Sequence, residues 1–147
     1  EMSASLVGSE MCIRDRNANM NMIRIWGGGI YEDDAFFEFC DKYGIMVWQD
    51  FMFACAPYPF YEDAFLESVK EEITCNVRRL RHHASLALWC GNNEIEDMSM
   101  GWKAYIKLNQ WTEKFFYQIL PDFVKKLDEL FKSMNDQSKE FQLNSIL

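Results

Sequence analysis

The chain has 147 residues, of which 49% are hydrophobic and 16% aromatic; this excludes global disorder and predicts a packed core of one ordinary domain at most. Its net charge of −8, from 23 acids against 15 bases, argues against nucleic acid and against an anionic membrane surface as partners, since both call for a basic patch. No apolar run approaches the roughly 18 to 20 residues that a membrane-spanning helix needs.

Residues 1–16 have neither a clear helical nor a strand period, and they lack good caps. The run Met11-Cys12-Ile13-Arg14-Asp15-Arg16 reads as a translated sequencing adapter, so 1–16 are expected to be an adapter-derived or disordered lead-in outside the fold. From there, three short apolar runs alternate with longer amphipathic ones. The first run, Met22-Ile23-Arg24-Ile25-Trp26, ends at Gly27-Gly28-Gly29. Asp33 and Asp34 then cap a helix with apolar residues at 36, 37, 40 and 43, and Gly44 stands where a C-terminal glycine belongs. The second run is 45–50. Pro59, Glu62 and Asp63 precede a second helix whose apolar positions 65, 66, 69, 73, 77 and 80 keep helical spacing. Arg78, Arg79 and Arg81 sit at its C-terminal end, where cations suit the helix dipole. His82 and His83 follow. A metal pair is one reading and a solvated helix terminus the other; the terminus is preferred, because no partner ligands stand at useful spacing. The third run, 85–90, leads into Gly91-Asn92-Asn93-Glu94. A third helix is predicted from about Trp102 to Phe131, kinked or divided at Pro121. Residues 132–147 are polar and weakly periodic, and read as a frayed or foreign tail.

This strand-helix alternation predicts an α/β fold with parallel strands and right-handed crossovers. Part of a doubly wound sheet and part of a (β/α)8 barrel both remain open, and in both the chemistry gathers at the carboxyl ends of the strands. Cysteines at 12, 40, 55, 75 and 90 are odd in number with no CxxC, so neither a disulfide framework nor a zinc ribbon is indicated. Reduced, mostly buried thiols are expected instead.

Each strand ends in something chemically loaded. The first ends in Trp26 before three glycines, which allow a sharp turn or a close backbone approach but lack the spacing of a dinucleotide site. The second ends in Gln49-Asp50, with Phe51, Phe53, Tyr58 and Tyr61 beyond it, rings that either fill the core or stack on a sugar. The third ends in Asn93-Glu94. An amide followed by a carboxylic acid at a barrel strand's end suits glycoside cleavage, with the acid protonating the leaving oxygen and the amide holding a sugar hydroxyl. Spacing alone leaves Glu94 open between catalysis and surface capping.

The segments NMNMIRIWGGGIYE, FCDKYGIMVWQDFMFACAPYP, VRRLRHHASLALWCGNNE and WTEKFFYQILPDFVKKLD resemble the catalytic barrel of β-mannosidases in glycoside hydrolase family 2. WQDFMFAC together with LWCGNNE is the specific part; the Asn-Glu pair alone is shared more widely among related barrels. The resemblance runs from about Asn17 to Asp128 within an expected partial barrel over 17–131. It implies a partial TIM barrel, about strands two to four with their helices. It makes Glu94 the acid/base and Asn93 the partner of the sugar 2-hydroxyl. Trp26 and Trp102 fall where family tryptophans border the sugar, and Asp50 is a sugar ligand at the rim. The implied activity is retaining removal of terminal, non-reducing β-D-mannose from an oligosaccharide or a glycoprotein-derived glycan, with no cofactor and no metal. The family's nucleophile is a second Glu near strand seven, and this chain is expected to stop near strand five; Glu32, Glu96 and Asp97 are not substitutes. An inactive truncated barrel with at most weak sugar binding, or a relative cleaving another sugar, are the alternatives. The resemblance leaves oligomeric state and compartment open.

Overall fold

The computed structural model describes residues 14–95 and 110–127. The expected lead-in up to residue 13, the start of the third helix including Trp102, the pair Glu96 and Asp97, and the tail over 132–147 lie outside the described residues. Residues 14–17 form a single helical turn. The elements that follow are β1 (Met22–Ile25), α1 (Asp34–Tyr43), β2 (Met46–Asp50), α2 (Asp63–Leu80), β3 (Leu86–Cys90) and α3 (Gln110–Lys114). The chain continues from α3 through a π-helical stretch, Phe115–Ile119, into helix as far as residue 127.

The three strands form one parallel sheet in the order β1-β2-β3. Alternation divides its faces. Ile23, Ile25, Val47, Leu86 and Trp89 join clusters that also hold Phe36, Phe37 and Cys40 of α1 and Leu80 of α2. On the opposite face Met22, Met46 and Leu88 are exposed. A second cluster gathers Val69, Ile73 and Val77 of α2 with Phe53, Phe60, Phe115 and Phe116. There Phe60 stacks on Phe115 at 4.0 Å between ring centroids, and Phe53 meets Phe115 and Phe116 edge-on.

Local chemistry explains the boundaries. Asp33 caps α1 by accepting from the Phe36 amide, and Gly44 ends it with φ 69°, where a side chain would strain. The arginines closing α2 also tie elements together. Arg79 donates to Asp34 at 2.6 Å and to the Glu32 carbonyl, while Arg81 donates to the Leu127 carbonyl at 2.6 Å. His83 is not solvated as the sequence suggested: it is buried, with Nδ1 2.7 Å from the Asp41 carboxylate. Asp41 also accepts from the Ser85 amide at 2.7 Å. Burial works to raise the pKa of Asp41, but these bonds outweigh it and hold the carboxyl below its ordinary value.

The third helix passes through Pro121 rather than dividing there. Proline cannot donate to the Tyr117 carbonyl, and its ring crowds that oxygen. The backbone responds one turn earlier, with the Leu120 amide reaching the Phe115 carbonyl, a wide π turn.

Candidate active site

The carboxyl ends of the three strands converge through side chains on the face away from the helices. Arg24 of β1 lies opposite Trp48 in the register and is stacked over that indole, 4.9 Å from its centroid. Its guanidinium forms a two-pronged pair with Asp50, Nε to Oδ1 at 3.1 Å and Nη2 to Oδ2 at 2.7 Å. The same Nη2 donates to Asn93 Oδ1 at 3.0 Å. Hydrogen bonding to Asp50 is the largest influence on Arg24 and raises its pKa, so the group stays a cation.

Asp50 is fully buried. Its Oδ2 also accepts from the Gly27 amide at 3.1 Å, so the carboxylate is engaged by three donors. The resemblance implies Asp50 as a sugar ligand at the rim; in the fold it is buried and holds Arg24 and the glycine turn. Two of the three glycines, Gly27 and Gly28, have no room for a side chain. A Cβ on Gly27 would lie 2.6 Å from the Phe51 carbonyl and 2.8 Å from that of Phe53, and one on Gly28 would lie inside the ring of Trp26. Trp26 therefore lies over backbone, and it is 49% exposed.

Beyond β2 and β3 the loops remain paired. The Asn93 amide donates to the Phe53 carbonyl at 2.9 Å, and the Cys55 amide donates to the Asn93 carbonyl at 3.0 Å, extending the parallel ladder past the strands. Tyr58 fixes the first loop by accepting from the Ala54 amide at 2.9 Å. Phe51 and Phe53 are spent in the core, so neither ring is available to a ligand, whereas Tyr61 is exposed.

Asn92 and Asn93 have separate tasks. Asn92 accepts from the Ile95 amide at 3.3 Å. Asn93 is buried, with Oδ1 on Arg24 and Nδ2 donating to Cys55 Sγ at 3.5 Å. Because Arg24 can only donate, it fixes which end of the carboxamide is oxygen, and one Nδ2 hydrogen remains for a ligand. Glu94 follows with φ 60° and an exposed side chain. Its Oε2 lies 3.6 Å from Cys55 Sγ.

Of the expected site residues, the fold thus brings Asn93, Glu94 and Asp50 together through Arg24 and Cys55, and sets Trp26 at the end of β1 over the glycine turn. Arg24 and Cys55 were not singled out from sequence. A charged residue interrupting the apolar β1 run was the available signal for Arg24; Cys55 gave none. Among the described residues, no group of three or more His, Cys, Asp or Glu side chains could hold a metal ion.

No family model matches the chain. Curated relatives do. The chain is 47% identical over 130 residues to a β-mannosidase of Capra hircus, which covers 88% of this chain and 14% of the relative. It is 60% identical over 76 residues to β-mannosidase B of Thermothelomyces thermophilus, 52% of this chain and 9% of the relative. The crystal structure of β-D-mannosidase from Dictyoglomus thermophilum superposes with a TM-score of 0.73 at 43% identity, covering 86% of this chain and 15% of that one. In sequence and in backbone, this α/β segment is similar to β-mannosidases, spanning between 9% and 15% of the length of these three relatives.

Proposed function

We propose that the chain is the acid/base-bearing portion of a retaining exo-β-mannosidase of glycoside hydrolase family 2, and that its three strands are consecutive staves of a (β/α)8 barrel. The sequential, parallel order β1-β2-β3 supports the barrel. So does the division of the sheet into a helix-covered face and an open one carrying Met22, Met46 and Leu88, as expected where further strands would close around an interior.

The observation that carries the function is the Asn93-Glu94 pair beyond β3, with the amide locked by Arg24 and the carboxyl left exposed beside it. In this reading Glu94 protonates the departing glycosidic oxygen and later activates water, while the remaining Nδ2 hydrogen of Asn93 holds the sugar 2-hydroxyl. Trp26, and Trp102 outside the described residues, wall the mannose. Asp50 contributes indirectly, through Arg24. The cycle takes a second carboxylate about 5 to 5.5 Å from the first as nucleophile. The family resemblance puts it near a seventh strand, so the 147 residues alone are expected to leave an aryl β-mannoside intact. The substrate is a terminal β-mannoside of an oligosaccharide or glycoprotein-derived glycan.

The test is Glu94→Gln in the full-length protein that carries this segment. Hydrolysis of mannobiose, whose leaving group needs a proton, is expected to be abolished, while a dinitrophenyl β-mannoside still releases its phenolate. Mannobiose turnover equal to that of the parent refutes the assignment.

A further inference from the structure

Glu94 does not stand alone at the strand end. Directly across the paired loops is Cys55, and the two share a feature rare outside glycine: both have left-handed backbone, φ 48° at Cys55 and φ 60° at Glu94. Such conformations persist where the surroundings over-determine them. Here the surroundings can be named. The Ala54–Asn93 bridge, the Cys55 amide on the Asn93 carbonyl and the Tyr58 hydroxyl on the Ala54 amide fix the first loop against the second. Phe53, two residues before Cys55, is anchored among Tyr58, Phe60, Phe115 and Phe116. The thiol is thus presented by a rigid loop, at 3.6 Å from Glu94 Oε2 and 3.5 Å from Asn93 Nδ2.

Resting on the reading of Glu94 as the acid/base, we propose that Cys55 is a positioning residue that sets the direction of the Glu94 carboxyl relative to the Asn93 amide. The sulfur accepts from the amide, and its S–H donates to the carboxylate. Both bonds are weak, because sulfur is a poor donor and a poor acceptor. That weakness suits a group that must change protonation state twice per turnover. The thiol donates to the ionised carboxylate, and its sulfur accepts when Glu94 carries the proton, so the contact persists through both states without holding either one. The Asn93 carbonyl, 3.9 Å from the sulfur, is the alternative acceptor for the S–H when Glu94 swings to substrate.

The experiment uses the full-length enzyme and compares kcat/KM for mannobiose with that for a dinitrophenyl β-mannoside, which departs without a proton. General acid catalysis contributes typically about 10²- to 10⁴-fold, so losing part of the alignment in Cys55→Ala is expected to lower kcat/KM for mannobiose about tenfold. The value for the activated substrate is expected to change less than about twofold, because kcat/KM reports only steps up to departure of the first leaving group. Cys55→Ser, which keeps a donor and an acceptor, is expected to restore mannobiose hydrolysis to within about threefold of the parent. Equal loss on both substrates, from misfolding or any other cause, overturns the proposal, as does a Cys55→Ala enzyme that matches the parent on mannobiose. Glu94→Gln in the same assay separates the two readings. If it leaves mannobiose turnover intact, the acid/base assignment fails; if it behaves as an acid-deficient enzyme while Cys55→Ala does not, only the role of Cys55 fails.

Discussion

Replacing Asp50 by Ala asks whether this carboxylate touches sugar or holds Arg24. Asp50 is fully buried and takes three donors: Nε and Nη2 of Arg24 and the amide of Gly27. Truncation leaves the Gly27 N–H, in a buried residue, without an acceptor, which costs roughly 1 to 3 kcal/mol. It also leaves Arg24 without its carboxylate. Breaking a wholly buried pair costs about 3 to 5 kcal/mol, but the Arg24 side chain is 38% exposed and can turn to water, so about 1 kcal/mol is appropriate here. The sum is about 3 kcal/mol. With a urea slope of about 2 kcal/mol/M, the unfolding midpoint of the chain, followed by tryptophan fluorescence, should fall by about 1.5 M. In the full-length enzyme kcat/KM should fall as well, by up to about 10²-fold, because Asn93 loses the cation that orients its amide. If the urea midpoint is unchanged while KM for a mannoside rises, the reasoning is refuted: Asp50 would then be meeting sugar directly.

Gly27→Ala is expected to destabilise the chain by about 1 to 3 kcal/mol, because the new Cβ would press on two backbone carbonyls that cannot rotate away, those of Phe51 and Phe53. A thermal midpoint equal to the parent's would show that the turn can open at no cost. Asp41 governs an acid-labile contact at the opposite end of the sheet. Its folded pKa is depressed by the bonds from His83 and Ser85, so its contribution is fully present above the ordinary carboxylate value of about 4 and is lost as pH falls through the lower, folded value. Urea midpoints of the chain and of Asp41→Asn should therefore differ at pH 6 and converge on acidification, and a gap that stays constant down to pH 2 would remove Asp41 as the cause.

Much of the fold was legible because its signals are local. Asp33 three residues before the Phe36 amide, Gly44 after the last apolar position of α1, and the helical spacing of 69, 73, 77 and 80 each describe contacts within one or two turns. The placement of Asn93 and Glu94 beyond β3 was legible for a related reason: they closely follow an apolar run; their roles came only from the family resemblance. What escaped the sequence is joined across the sheet. Arg24 meets Asp50 and Asn93 over separations of 26 and 69 residues, and His83 meets Asp41 over 42. His83 read as solvated because nothing nearby in sequence could partner it. The burial of Asp50 likewise depends on a guanidinium from another strand.

Register is the quantity that decides those contacts, and it contains an irregularity that no periodic pattern reveals. Val47 pairs with Leu86, but Trp48 pairs with Leu88, so β3 carries one extra residue, Ala87, opposite β2. A one-residue slip exchanges the two faces of a strand. The bulge lets Leu86 face the helices, with Val47, and still places Leu88 and Cys90 opposite Trp48 and Asp50. Continued without it, the same pairing would shift everything beyond β3 by one position, turn Asn93 away from Arg24, and leave Asn92, which here accepts from the Ile95 amide, in its place. The site therefore depends on Ala87 as much as on the residues that would perform the chemistry. Ala87 itself is exposed and lies outside both hydrophobic clusters.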